Sequence, residues 1–209
     1  MKVSVRFQFT LLLLCCVTFA GPIAGAASPG TIDELRQSFT VDGEPVPPNV
    51  FRDMGDGNLA DSGSIIVTID VKAATGSNLY ADPIRRNGAW VVQSRIAPGD
   101  KSPSEEEAYR YIGMTANKLL VVATSYSGGG TGVFYSLHIL TAEPAPAFDS
   151  EGKRYERLNL TTIRSVALGD RWNGDVRIDG NKVVVTTTGG LPAGQLREPS
   201  TMTIKAERP

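Results

Sequence analysis

Cysteine is nearly missing from this chain. Its 209 residues hold two, Cys15 and Cys16, and both fall inside an N-terminal export signal. Met1, Lys2 and Arg6 give that signal a positive start, residues 11–19 supply its apolar middle, and Pro22 interrupts it. The apolar stretch is too short and too poorly flanked for a stable membrane span. Ala24-Gly25-Ala26 puts small residues where a signal peptidase reads, so cleavage is expected after Ala26. Ala20 and Ala27 are alternative sites, and an uncleaved anchor is the remaining alternative. A lipoprotein signal does not fit, because Leu14 precedes Cys15 where a small residue is needed. The exported chain would have no disulfide, no thiol nucleophile and no cysteine metal site, in a compartment that permits disulfides.

Histidine and positive charge are scarce too. His138 is the only histidine, so a zinc site would need carboxylates to complete it. Two of the 21 basic residues, Lys2 and Arg6, leave with the signal, so 19 face 22 acids and the net charge is about −3. No basic surplus remains to hold nucleic acid or an anionic membrane. No second long apolar run follows, so no stable membrane span is expected after cleavage. The expected organisation is a signal peptide over residues 1–26 and one all-β domain over residues 27–209. A chain of that length with 41% hydrophobic residues can be stable without covalent staples.

What is present is β pattern, and residues 119–140 (LLVVATSYSGGGTGVFYSLHIL) carry most of it. Two apolar, β-branched and aromatic runs flank Ser127-Gly128-Gly129-Gly130-Thr131-Gly132, which predicts a long antiparallel hairpin. Upstream, Thr31 and Glu34 fit a capping box for a short helix within residues 28–38. Asp42-Gly43 between short alternating runs predicts a second hairpin, with Pro45 confining its second arm to an edge. Residues 47–64 read as irregular. Residues 64–72 (SIIVTIDVK) alternate as a strand, 73–87 as a connection, 89–94 as a strand, 105–107 as an exposed acidic run and 109–114 as a strand.

After the central hairpin, Pro144 and Pro146 exclude a long helix over residues 143–150. Residues 155–168 read as strand with a slip near Thr161-Thr162, the mark of a bulge or bend. Residues 169–174 form a turn, 175–178 and 182–188 are strands around Asp179-Gly180-Asn181, 189–199 a loop, and 201–206 a closing edge strand. The sum is about ten to twelve short strands with little helix, a single antiparallel β-sandwich or barrel-like domain that meanders over much of its length. No fixed-period repeat supports a propeller.

Tests for chemistry mostly return structure. Among Asp53, Asp56, Asn58, Asp61 and Ser62, the interleaved glycines miss the spacing of an EF-type calcium loop. His138 shares its strand face with Phe134 and Ser136, but Ser136 is too distant for a Ser–His pair, so the expectation is a hydrogen-bonded histidine near the sheet surface. The triple glycine lacks the lysine and following helix of a phosphate loop. Its glycines serve a turn, yet six small residues exceed the need of a minimal one. That surplus leaves amides accessible at a loop tip flanked by Tyr126, Phe134 and Tyr135. Asn159-Leu160-Thr161 matches a glycosylation sequon but lies in a strand.

SYSGGGTGVFYS resembles the Ser/Gly-rich protruding loop that periplasmic lysozyme inhibitors, also small exported β proteins, place in the lysozyme cleft. The resemblance spans about a dozen residues, and this chain lacks the cysteines that some of those inhibitors carry. It would make Ser127, Thr131 and Tyr135 contacts.

The sequence thus points to a secreted, periplasmic, non-enzymatic β domain that binds a protein or glycan through its end loops. Candidate contacts are Tyr126, Ser127, Gly128, Gly129, Gly130, Thr131, Tyr135, Arg171 and Trp172, although Trp172 could instead fold into the core. No catalytic, cofactor-binding or metal-ligating residue is assigned, and no cofactor is expected. Alternatives are a lysozyme-inhibitor-like protein, a hydrolase with paired carboxylates and a structural envelope component.

Overall fold

The computed structural model describes residues 32–54, 67–76, 78–96, 103–188 and 198–208. The chain enters with helix α1 (Ile32–Ser38), strands β1 (Thr40–Val41) and β2 (Glu44–Pro45), and helix α2 (Asn49–Asp53). Strand β3 (Thr68–Asp70) runs straight into helix α3 (Val71–Thr75), followed by a 3-10 turn at Asn78–Tyr80. Six strands then follow: β4 (Ile84–Asn87), β5 (Trp90–Arg95), β6 (Glu105–Met114), β7 (Leu120–Ser127), β8 (Phe134–Phe148) and β9 (Arg154–Asp170). Strands β10 (Gly174–Asp179), β11 (Lys182–Thr187) and β12 (Ser200–Lys205) close the described chain.

The fold is mainly β, with all strands paired antiparallel. A seven-strand sheet in the order β3-β9-β8-β7-β6-β5-β4 dominates, and its last six members are a meander. Strands β10-β11-β12 make a small second sheet. Both faces of the large sheet are covered, which is why Leu120 to Thr124 on β7 are buried in succession rather than alternately. On one face Leu120 and Val122 pack with Leu35, Phe39, Val50 and Phe51 from the helical segment. On the other, Val121 and Ala123 pack with Val176, Val183, Val185 and Ile204 from the small sheet.

The first turn is organised by Glu34 of α1. Its carboxylate accepts from Thr40 Oγ1 at 2.8 Å, Gly43 N at 2.7 Å and Asp42 N at 3.2 Å. Asp42 and Gly43 both adopt positive φ, the geometry of a tight hairpin turn. The Gly43 amide, ahead of the other donors, holds the Glu34 carboxyl below its ordinary value.

Several boundaries differ from the sequence reading for identifiable reasons. Helix α2 stands where irregular chain was expected; five residues are too few to show a period, and it is held by burial of Val50 and Phe51. Residues 71–75 are helix, not strand continuation, because Asp70 caps them by accepting from Lys72 N at 3.1 Å. Strand β4 was missed because all four of its residues are exposed and show no alternation. Glu105 to Glu107 are no solvated run: they open β6, and Glu107 is only 3% exposed. Gly169 and Asp170 extend β9 rather than begin a turn, and the slip in β9 appears as a bulge that leaves Ile163 unpaired.

Strand β8 continues through Pro144 and Pro146. It can do so because β7 ends opposite Leu140, leaving β8 with only β9 as a neighbour among the described strands beyond that point. Leu158 sends its N–H away from β8, to Asp70 Oδ1 at 3.1 Å. Its register partner Pro144 therefore turns its nitrogen to the open edge, where no ladder donor is needed. Expectations for residues 1–26, the Thr31 cap, Asp56 to Ser62 and residues 189–197 lie outside the described residues.

Candidate functional site at the loop end of the large sheet

Strands β7 and β8 pair from Leu120 with Leu140 to Tyr126 with Phe134, so the glycine segment forms the hairpin tip. Gly128, Gly129, Gly130 and Thr131 are exposed, but the tip is not loose. On one side Gly129, at φ +80°, rests on the backbone at the start of β6, where an added β-carbon would come 2.5 Å from the Ser104 carbonyl oxygen. On the other side the end of β9 reaches over. Asp170 Oδ1 accepts from Val133 N at 2.8 Å, and Arg171 N donates to Val133 O at 2.7 Å. The Arg171 guanidinium donates to the Thr131 carbonyl and contacts Asp170 Oδ2 at 3.3 Å. Arg171 holds a left-handed φ of 45°, uncommon for a residue with a side chain, to make these contacts.

Beneath the tip lies a hollow of about 310 Å³, lined by Pro103, Glu105, Glu106, Ser125, Ser127, Gly129 and Val133. Strand alternation puts Ser125 and Ser127 on one face, and Tyr135 is the cross-strand partner of Ser125. Glu106 Oε2 receives Arg85 at 2.5 Å and Ser94 Oγ at 3.3 Å. Glu105, its neighbour, leaves from the opposite face toward α2 and meets Arg52 at 2.7 Å and Arg95 at 3.7 Å.

The expected contact residues divide. Ser127, Gly128, Gly129, Gly130 and Thr131 form the tip, Ser127 and Gly129 among them also line the hollow, and Arg171 clamps the tip at Thr131. Tyr126 is half-buried on the face opposite Tyr135, with its hydroxyl folded against Gly128. Tyr135 is half-buried between Trp90 and Trp172, at ring distances of 5.9 and 6.0 Å. Trp172 belongs to the core under the small sheet, 8% exposed, with Nε1 donating to Thr187 Oγ1 at 3.1 Å. Phe134, expected beside the tip, is 55% exposed there. Residues missed in the sequence are Ser104, Glu106, Arg85, Ser94, Ser125 and Asp170. Alternation along Ser125-Tyr126-Ser127 could have found Ser125. Nothing local could have found the others, because β4, β5, β6 and β9 bring them in.

Other polar groups are structural. His138 is fully buried beneath Phe51, at a ring distance of 5.3 Å, with Nε2 3.2 Å from Thr124 Oγ1. It therefore lies inside the helical-side core rather than near the surface, and Ser136 is not its partner in that bond. An open groove of about 500 Å³ beside α2 is lined by Asn49, Arg52, Asp53, Tyr80, Asp82 and Arg95. Burial, reinforced by the 2.7 Å bond to Asp53, pushes the Tyr80 phenol far above its ordinary value. Among the described residues no group of three or more His, Cys, Asp or Glu is placed to hold a metal ion, and no helix is long and apolar enough to cross a membrane.

No protein-family model, curated protein or solved structure matches this chain.

Proposed function

We propose that this is an exported, periplasmic binding domain that recognises a protein or glycan partner with the loop end of its large sheet. The observation that carries the reading is the state of the hairpin tip: its glycine backbone is exposed, yet it is fixed between Ser104 and the Asp170-Arg171 corner. A loop ordered before binding gives up little conformational freedom when a partner closes on it. Phe134 at the tip's base adds an exposed apolar anchor. In the inhibitor-like form of this reading, the tip enters the cleft of an enzyme.

A hydrolase built on Glu105 and Glu106 has less support. Neighbours on one strand leave from opposite faces, so these two carboxylates do not flank a common bond. The test is capture of partners from envelope extract by the mature chain, beside a version lacking Gly128-Gly129-Gly130 and a Phe134→Ala variant. Loss of capture by both variants is expected, with cooperative unfolding retained in the deletion and an unchanged unfolding midpoint in Phe134→Ala. Undiminished capture by both variants overturns the proposal and favours a structural component contacting through its sheet edges.

A further inference from the structure

The hollow beneath the tip is specific enough in its chemistry to name a ligand class. Building on the binding role above, we propose that it is a subsite for one ring of a neutral saccharide. Glu106 supplies the anchor. Arg85 and Ser94 both engage Oε2, at 2.5 and 3.3 Å, so the carboxylate is held in place while Oε1 has no hydrogen-bond partner among the described residues. A fixed carboxylate oxygen is a strong acceptor for a ligand hydroxyl.

Ser125 and Ser127 add two hydroxyls on the same wall. They are two residues apart on β7, so their backbones are separated by roughly 6–7 Å, comparable with the width of a sugar ring. Neither hydroxyl is engaged by another described side chain. Each can donate and accept, as sugar hydroxyls do. Val133 and Pro103 offer apolar surface for the C–H face of the ring.

Charge disfavours the obvious rivals. Glu106, the carboxylate on the hollow's own face, is paired with Arg85, so that face offers no unbalanced charge to draw in a cation or an anion. At about 310 Å³ its size suits one ring, at the lower end of small-ligand sites. The groove beside α2 is larger, but its polar groups are already spent on one another: Tyr80 on Asp53, Asn49 on Asp82, and Arg52 on Glu105.

The experiment titrates the isotope-labelled mature chain with tetramers of glucose, mannose and N-acetylglucosamine, and with an anionic galacturonic acid tetramer, following amide shifts. At least one neutral tetramer is expected to give saturable shifts at residues 104–106, 125–129 and 133–135. The Ser125→Ala/Ser127→Ala double variant should weaken that binding at least tenfold without changing the unfolding midpoint, and Glu106→Gln should weaken it similarly. Absence of saturable shifts with every neutral tetramer, preference for the anionic one, or shifts confined to other residues overturns the subsite. If the serine variant captures the envelope partner normally while the tip deletion does not, the subsite fails and the binding role stands. If neither change affects capture, both fail.

Discussion

Gly129 lies against the carbonyl of Ser104 so closely that a β-carbon there would sit 2.5 Å from the oxygen, in a backbone at φ +80°. Two independent constraints therefore require glycine at this one position of the triple. Gly130 has no atom within 4 Å of where a side chain would begin and no positive φ. Gly129→Ala should cost about 1–2 kcal/mol through its left-handed backbone alone, and Gly130→Ala should be close to neutral. Denaturant unfolding checks the magnitude, and faster amide exchange at residues 128–133 in the first variant only checks the location. Equal behaviour of the two variants contradicts the clamped tip.

Asp170 is the tip's other fastening, through Val133 N at 2.8 Å. Asp170→Ala should lower stability by about 1 kcal/mol, the worth of one hydrogen bond, and loosen the tip more than that figure suggests. The measurement is partner affinity against unfolding free energy: affinity should fall further than global stability does.

Trp172 separates core from contact surface. With 8% exposure and its indole N–H bound to Thr187, Trp172→Ala should cost about 3–5 kcal/mol. Trp172→Phe should be milder and leave partner capture intact. Impaired capture by the phenylalanine variant, at unchanged stability, would place Trp172 in the binding surface after all.

Glu34 makes stability depend on acid. Its folded carboxyl lies below the ordinary 4.5, chiefly because Gly43 N donates to it. Folding therefore favours the charged form, and the stability contributed is complete above that ordinary value and is lost as pH falls through the folded one. The difference in unfolding free energy between wild type and Glu34→Gln should be largest at neutral pH and shrink in acid below about 4.5. A difference that stays constant from pH 7 to pH 3 contradicts the assignment.

Pro144 and Pro146 guard an edge. They occupy the reach of β8 that, among the described strands, has a neighbour on one side only, and Pro144 turns its nitrogen outward. Pro144→Val/Pro146→Val should restore edge donors and raise self-association, read by sedimentation, with little change in unfolding of the monomer.

The segments legible in the sequence were those whose pattern is local. The β7–β8 hairpin, the Asp42-Gly43 turn and the β10–β11 pair all announce themselves by apolar or alternating runs broken at residues suited to a tight turn. The segments that were misread have boundaries set by something distant. Helix α2 exists because Phe51 can pack its ring, tilted, against Tyr109 and His138, contacts more than fifty residues away in sequence. Strand β4 exists because β5 lends it a ladder, and Glu105 to Glu107 join β6 because β5 and β7 lie on both sides.

The order of residues was enough, on its own, to dictate a mostly β chain of short antiparallel strands and a glycine-rich turn between its two most apolar runs. Side-chain alternation and backbone freedom act over a few residues, and both can be read directly from neighbours in the chain. Which carboxylate faces the turn, whether the turn is held, and that Trp172 is core while Phe134 is exposed were decided only in three dimensions. Those outcomes depend on strand register across β4, β5, β6, β8 and β9, and register is settled by packing on both faces of the sheet at once.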